Sequence, residues 1–388
     1  MPNTFVTQDL LADAAENAAI LLRNNLVAAN LINRNVENTL VDRQSGGKVR
    51  VKVRPELTAN LDEQNRGSLT LQKTDNTQKT VEVDATNYIY IKQDLETPES
   101  TWDLEAFTFD VVQPMALGVA EQVDQFLVRR IAGGFSESVT VSSGGSVGDS
   151  PADIADMGRA RRVLNEQKAP MSERVALVSA LTDENLLNDD KFINADYGSD
   201  APQALREGSL GRRLGIDFFM DQNVGTHPFG DTGGTVVTNG SVTQGDGEVD
   251  VDGLGTSDGV IRQGARFQIA GDSQTYTVTQ DVFYSGTSAT LPIAPAAQTG
   301  STDGSGITFE TPHTQDTVYY RPGMLGAIVA PTPLQGAMSE TGTFENITVR
   351  LTIDSSLAGS DGATDEILMD VYVGGQALRS EFGTIVQG

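Results

Sequence analysis

Few residues in this chain have the types and spacing to do chemistry. Gly255-Thr256-Ser257-Asp258-Gly259 spells the G-x-S-x-G of a nucleophile elbow. That elbow needs a strand running into a helix, so that the turn presents the serine hydroxyl. The flanks here show no strand-to-helix step, so the spelling lacks its setting. The two histidines, His227 and His313, stand in no recognisable catalytic pattern. Asp246, Glu248, Asp250 and Asp252 offer oxygen ligands for calcium. An EF-hand loop closes with a glutamate at its twelfth position, and counting from Glu248 that position is Gly259. The competing reading is a strand with valines inward and acids outward. No G-x-x-x-x-G-K-[ST] is present, so no P-loop is expected. Asn239-Gly240-Ser241 and Asn346-Ile347-Thr348 match the short glycosylation triplet. With no cysteine, disulfides, thiolate catalysis and cysteine metal sites are excluded. Two histidines without cysteine also argue against a transition-metal site. No enzyme and no cofactor are expected.

The bulk properties agree with a non-catalytic protein. The chain has 388 residues, 38% of them hydrophobic, with 40 glycines. That is enough apolar content for a sizeable core, divided among two or three units at about 100–200 residues each. Lys+Arg is 27 and Asp+Glu is 53, a net charge of −26. Such a surface does not grip nucleic acid through its average field. Arginine over lysine and aspartate over glutamate fit a surface kept hydrated in high salt. No apolar run reaches the roughly 20 residues that span a bilayer. The start, MPNTFVTQDLLADAAENAAILLRNN, is polar and acidic where a signal peptide is basic and then apolar. Folding in the cytoplasm of the producing cell is therefore expected.

The elements read as follows. Thr7 is placed to cap a helix carrying Leu10, Leu11, Ala14, Ala18, Leu21 and Leu22 at helical spacing. In KVRVKVRPE, Val49, Val51 and Val53 alternate with Lys48, Arg50, Lys52 and Arg54, giving one apolar and one basic face. TVEVDATNYIYIK supplies a second alternating run through Val81, Val83, Tyr88, Tyr90 and Lys92. The two runs, joined by a polar middle holding Lys73 and Lys79, read as one long hairpin. An isolated hairpin is marginal in water, so this one needs something to lie on. QPMALGVAEQVDQFLVRRIAGG is the longest helix, from Pro114 to Gly133-Gly134. Ser150 with Pro151 opens the next helix, RVALVSA is a short buried strand, and Thr182 caps DENLLND. APQALREG reads as a helical turn stopped by Gly208, and IDFFMDQNV as a strand. Between them, Arg212 and Arg213 sit at a glycine turn, where pairing with nearby carboxylates is expected. From His227 to Asp316 the composition turns to Gly, Thr, Ser, Asp and Val, with many short alternating runs. This reads as an all-β module inserted into an interrupted α+β domain.

The order of these segments resembles the major capsid proteins of tailed viruses, the HK-ninety-seven-type fold, and in detail the P-twenty-two-type coat proteins. TFVTQDLLADAAENAAILLRNNLVAANLINRNVEN resembles that family's opening arm. VRVKVRP resembles the strand entering its extended loop, the E-loop, and ALGVAEQVDQFLVRRIAG its spine helix. LREGSLGRRLGIDFFMDQNV resembles the corner ahead of an inserted domain, RFQIAG a strand of that insertion, and LMDVYVGGQALRSEFGTIVQG the closing strand and tail. The resemblance implies an α+β fold divided as N-terminal arm (1–47), E-loop hairpin (48–95), P-domain with spine helix (96–172), A-domain (173–226 and 317–345), inserted β-domain (227–316), and closing P-domain strands with tail (346–388).

It further implies self-assembly into pentamers and hexamers of an icosahedral shell around double-stranded DNA, in a virion, without sequence-specific binding and without a membrane. The arm and E-loop would clasp neighbouring subunits. A portal, a packaging motor and a scaffolding protein are implied partners, with a decoration protein as a further one. No coiled-coil prodomain precedes the arm, so scaffold is expected as a separate chain. The proposed intersubunit contacts are Lys48, Arg50, Lys52, Arg54, Lys73, Lys79, Arg212 and Arg213. The alternative is an extracellular β-rich adhesin or surface-layer protein, which the glycine- and threonine-rich insertion alone would suit.

Overall fold

The computed structural model describes residues 8–34, 48–52, 80–84, 87–95, 108–141, 151–189, 210–255, 258–310, 315–331, 338–345, 347–356 and 364–387. Helix α1 is Gln8–Asn25, α2 is Gln113–Gly133, α3 is Ile154–Glu166 and α4 is Ala180–Leu187. Among the described residues there are also three larger sheets and two smaller strand pairings.

The first core lies between α1, α2 and a five-stranded sheet. In that sheet the long strand Thr364–Ala377 pairs with Asn87–Leu95 and, in turn, with Ile347–Ser356 and Met324–Val329; Met338–Phe344 lies outside Ile347–Ser356. Ile347, Val349, Leu351, Ile367, Met369, Val371 and Val373 all point into this core. A side chain of this size contributes roughly 1.5–3 kcal/mol when fully buried. Helix α2 has Pro in its first turn, where no intrahelical donor is lost, and ends at Gly134, whose amide bonds the Ile131 carbonyl at 3.2 Å. Its stripe of Ala116, Val119, Ala120, Val123, Leu127 and Ile131 is buried as the periodicity requires.

Helix α1 presents Leu11, Ala14, Ala15, Ala18, Ala19 and Leu22 to the same core. The small residues let it lie almost on the backbone of Met338–Phe344. A Cβ at Gly342 would fall 1.9 Å from the carbonyl oxygen of Ala15. This corrects one expectation. The helix of the N-terminal arm is a core element of its own subunit, because its apolar face has a large partner there.

The second core lies between α3, α4 and a six-stranded mixed sheet. Its strand order is Glu137–Thr140, Gly383–Gln387, Gln315–Tyr320, Arg174–Val178, Ile216–Met220 and Arg212–Arg213. The helix starts differ from the sequence reading. Asp153, not Ser150, caps α3: its carboxylate accepts from the Asp156 amide at 2.8 Å, and Asp156 returns the bond to the Asp153 amide at 3.2 Å. Ser179, not Thr182, caps α4. The Thr182 hydroxyl is occupied instead, donating to the buried Asp316 carboxylate at 2.5 Å.

The third core belongs to residues 229–309. Six strands run in the order Ile307–Phe309, Arg266–Ile269, Thr275–Val278, Ala289–Ala294, Glu248–Leu254 and Gly234–Thr238, and Asp258–Ile261 pairs separately with Val282–Ser285. Alternation puts Val249, Val251, Leu291 and Ile293 inside. The APQALREG segment lies outside the described residues.

Candidate assembly surfaces

Lys48–Lys52 pairs antiparallel with Thr80–Asp84. The register sets Val49 opposite Val83 and Val51 opposite Val81, so the two apolar sets share a face. It also sets Lys48 opposite Asp84 and Arg50 opposite Glu82. The second run is two strands rather than one. Asn87–Leu95 leaves the hairpin for the first sheet, with Ile89 and Ile91, in phase with Val81 and Val83, packed against its core and Tyr88 and Tyr90 facing out. Val51 packs against Leu325 and Ala327, so the base of the hairpin lies on its own subunit. Arg54, Lys73 and Lys79 lie outside the described residues.

On this strand Tyr88 and Tyr90 stack at 5.2 Å on the outer face of the sheet, with Tyr372 5.3 Å from Tyr88. Lys92 pairs with Glu366 at 2.5 Å on this face. Behind the tyrosines sits an ion pair that sequence reasoning missed. Arg350 and Asp370 are Cα partners across the sheet. The Arg350 Nε donates to Asp370 Oδ1 at 2.9 Å, its Nη2 donates to Oδ2, and the Tyr88 hydroxyl donates to Oδ2 at 2.7 Å. Burial lowers the guanidinium pKa, but the carboxylate outweighs it and the net shift is upward. Burial and the Asp370 bond push the Tyr88 phenol up to about 12.

Arg212 and Arg213 form one side of a two-residue hairpin whose loop, Leu214-Gly215, has φ of 53° and 75°. Two positive φ values define the turn that matches strand twist. Arg212 Nε lies 3.6 Å from Asp217 Oδ1 on the facing strand, with both side chains partly exposed. The carboxylate beside this arginine therefore comes from its own hairpin, as the local reading of the turn expected.

Beside α2 runs a polar groove of about 710 Å³, lined among others by Asn25, Glu121, Asp124, Arg129, Asn223 and His227. Asp124 is buried in the middle of the helix and accepts from the amides of Val27 at 2.6 Å and Ala29 at 3.3 Å. It thereby fixes the short helical turn after α1. Burial pushes its pKa up to about 7, the Val27 amide opposes this, and the nearby Asp221 adds to it. His227, one of the two histidines, is buried with Nε2 2.7 Å from the Gln263 carbonyl oxygen. That contact belongs to a joint between the insertion and the end of α2, not to a catalytic array. Ser257 and His313 lie outside the described residues.

The calcium candidates follow the strand reading. Glu248 and Asp250 face outward between the buried Val249 and Val251. The Asp250 carboxylate accepts from the Thr290 hydroxyl, and that of Asp252 accepts from Thr287 and Ser288. Among the described residues, no three His, Cys, Asp or Glu side chains gather as a metal site, and no helix is long and apolar enough to cross a membrane.

Residues 130–239, from the end of α2 through the second core to the first strand of the insertion, match the family of phage capsid proteins. That match covers less than a third of the chain. The body around it is α+β, a long helix laid across a five-stranded sheet beside a mixed sheet flanked by helices. No curated protein matches this chain. Among solved structures it is similar to one of Mycobacterium phage Che8 at 16% identity, covering 93% of this chain and 90% of that one, with a TM-score of 0.49. It is similar to the capsid structure of cyanophage P-SCSP1u at 12% identity, covering 93% and 88%, with a TM-score of 0.46. The capsid of Ralstonia phage GP4 is similar at 10% identity, covering 92% and 87%, with a TM-score of 0.45. Likeness this distant says nothing of partners. The family match does not favour the adhesin alternative.

Proposed function

We propose that this protein is the major coat subunit of a tailed virus, of the P-twenty-two type, and that its copies close into an icosahedral shell of pentamers and hexamers around double-stranded DNA. The observation that carries this reading is the capsid-family match over 130–239. The protein's role is then geometric rather than catalytic. On this reading the paired strands Lys48–Lys52 and Thr80–Asp84 and the separately cored unit at 229–309 are the parts that serve contacts beyond the body. A net charge of −26 limits sticking of DNA to the lumen during packaging. Portal, scaffolding and decoration proteins are the partners this role requires or admits.

Lys48, Arg50, Lys52 and Arg54, with Lys73 and Lys79, serve contact between subunits, and Arg212 and Arg213 add a second basic corner. Exposed ion pairs are worth up to about 1 kcal/mol each, but a shell repeats them in every copy. Negative-stain microscopy of the purified protein, alone and with its scaffolding protein, tests the reading. Closed shells support it, while flat lattices would favour a surface-layer protein. Changing Lys48, Arg50, Lys52 and Arg54 together to glutamate is expected to leave the subunit's melting temperature within about 2–4 °C, the shift that 1 kcal/mol produces in a domain of 150–250 residues, while abolishing shells. Normal shells from that variant would reduce the four charges to a solvated strand face.

A further inference from the structure

The sequence holds one Asn-Gly pair, Asn239-Gly240. This pairing is open to attack by the chain on itself. The amide nitrogen of the second residue reaches the side-chain carbonyl carbon of the first, and glycine has no Cβ to stand in the way. Both residues are exposed, in the turn that follows the insertion strand Gly234–Thr238, so water and hydroxide reach them. Gly240 has φ of 111°, a conformation that glycine adopts freely.

The fold holds this turn in a clasp. Before it, Thr238 donates its amide to the Ser305 carbonyl at 2.9 Å and its hydroxyl to the Thr302 carbonyl at 2.9 Å. Beyond it, Val242 and Ser301 exchange amide bonds at 3.0 and 2.9 Å. The Asn239 amide donates to the Asp250 carbonyl at 2.8 Å. The Gly240 amide donates to Asp303 Oδ1 at 2.8 Å. That last bond falls on the nitrogen that has to act as nucleophile. The nitrogen attacks only after losing its proton, and a carboxylate at hydrogen-bond distance opposes a second negative charge there. The same bond holds the nitrogen on Asp303 and away from attack.

We infer that Asn239-Gly240 is a latent self-modification site and that Asp303 keeps it latent. When the bond to Asp303 opens, hydroxide takes the Gly240 amide proton, and the nitrogen forms a bond to the side-chain carbonyl carbon of Asn239. The side-chain nitrogen takes a proton from water and leaves as ammonia, which regenerates the hydroxide and closes an imide ring. Water then opens that ring at either carbonyl, leaving aspartate or isoaspartate at 239. The net change is one water consumed and one ammonia released. The product sets a new carboxylate in the turn that Asp303 clasps, in a chain whose net charge is already −26. The reaction belongs to the single subunit and does not depend on the proposed function.

The test follows the full-length folded protein at mildly alkaline pH. Peptide mass spectrometry reads the conversion at Asn239 as the exchange of ammonia for water. The folded parent is expected to convert more slowly than the same protein in denaturant. Asp303→Ala is expected to convert about tenfold faster than the folded parent, the worth of a hydrogen bond to a charged group expressed as a rate. Asp303→Ser, which keeps an acceptor but not the charge, is expected to fall between them, and it serves alone if the alanine variant does not fold. Circular dichroism and the melting temperature of each variant separate faster conversion from unfolding. A folded parent that converts as fast as the denatured one would overturn the latency. Variants that convert at the parent's rate would overturn the role of Asp303. Slower conversion in either would do the same, since it would make the carboxylate a base that assists the attack.

Discussion

Two buried arginines stand at opposite ends of this molecule's polar economy. Arg350, in the first sheet, faces its carboxylate as a cross-strand partner and holds it through two nitrogens. Arg266, between insertion and body, has three long carbonyl contacts and no ion pair. The difference lies in what surrounds each. A sheet register fixes two residues opposite one another, so an ion pair there is positioned at no further entropic cost. Arg266 too faces a carboxylate residue across paired strands, Glu310, whose amide donates to its carbonyl at 2.9 Å, yet its Nε and Nη1 find no hydrogen-bond partner. The comparison teaches that register brings a buried charge near a carboxylate, and that side-chain packing decides whether the two close.

The contrast breaks most readily at Asp370. Asp370→Ala strands a buried guanidinium and is expected to cost about 3–5 kcal/mol, read as a large fall in the denaturant midpoint of the subunit. Arg266→Met is expected to cost far less, or to stabilise, since it removes a charge that lacks a partner. Equal losses from the two variants would erase the distinction. The next effect is at Asp124, a third buried charge, held by backbone amides. Its folded pKa of about 7 lies above the ordinary 3.8, so the folded state holds this proton more tightly than the unfolded chain. Its contribution is fully present below about pH 4 and is lost as pH rises toward 7. Thermal melts of the parent and Asp124→Asn at pH 4.5 and 7.5 should show the variant gaining on the parent at the higher pH, by a few kcal/mol. A constant difference between them would mean that Asp124 does not titrate in this window. The smallest effect concerns backbone rather than charge. Lys168 stops α3 at φ 56°, with the Ala169 amide bonded to the Leu164 carbonyl at 2.9 Å, a position that favours glycine. Lys168→Gly is expected to stabilise by about 0.5–1 kcal/mol, visible as a small rise in melting temperature. A loss would place the lysine side chain in a contact of its own.

The elements with one apolar stripe were legible in the sequence, because a period of 3.6 or 2 names the buried face directly. The stripe of α2, the valines of Glu248–Leu254 and the alternation of Ile347–Ser356 all follow from that. The caps misled where several hydroxyl and carboxyl side chains lay in a row. Ser150, Asp153 and Asp156 compete for one helix start, and only the reciprocal Asp153–Asp156 bonds decide it. The run Val81 to Lys92 keeps one phase through Ile89 and Ile91, so its alternation gave no sign that the chain leaves the hairpin for the first sheet. Arg350 and Asp370 were hidden because each lies within a strand and on the face that alternation marks as outward. Only the register, a property of two strands about twenty residues apart, brings them together. Arg266 and Asp124 depend on tertiary packing alone, and nothing in their neighbouring residues marks them.

The burial of α1 also sets a timetable. Its partner strand and the Arg23–Glu345 pair lie far down the chain, the pair separated by 322 residues. At about 5–20 residues per second of synthesis, the helix waits roughly 15–60 seconds for the strand that covers it. In that interval α2, which shares its core and is made about a hundred residues after it, covers only part of its row of leucines and alanines. The helix completes its packing late. Closing so long a loop is slow, and the exposed face is an opening for wrong partners, including the same helix on a neighbouring nascent chain. In the proposed role the protein is made in many copies at once, so the step that completes its core is also the step most exposed to its own concentration.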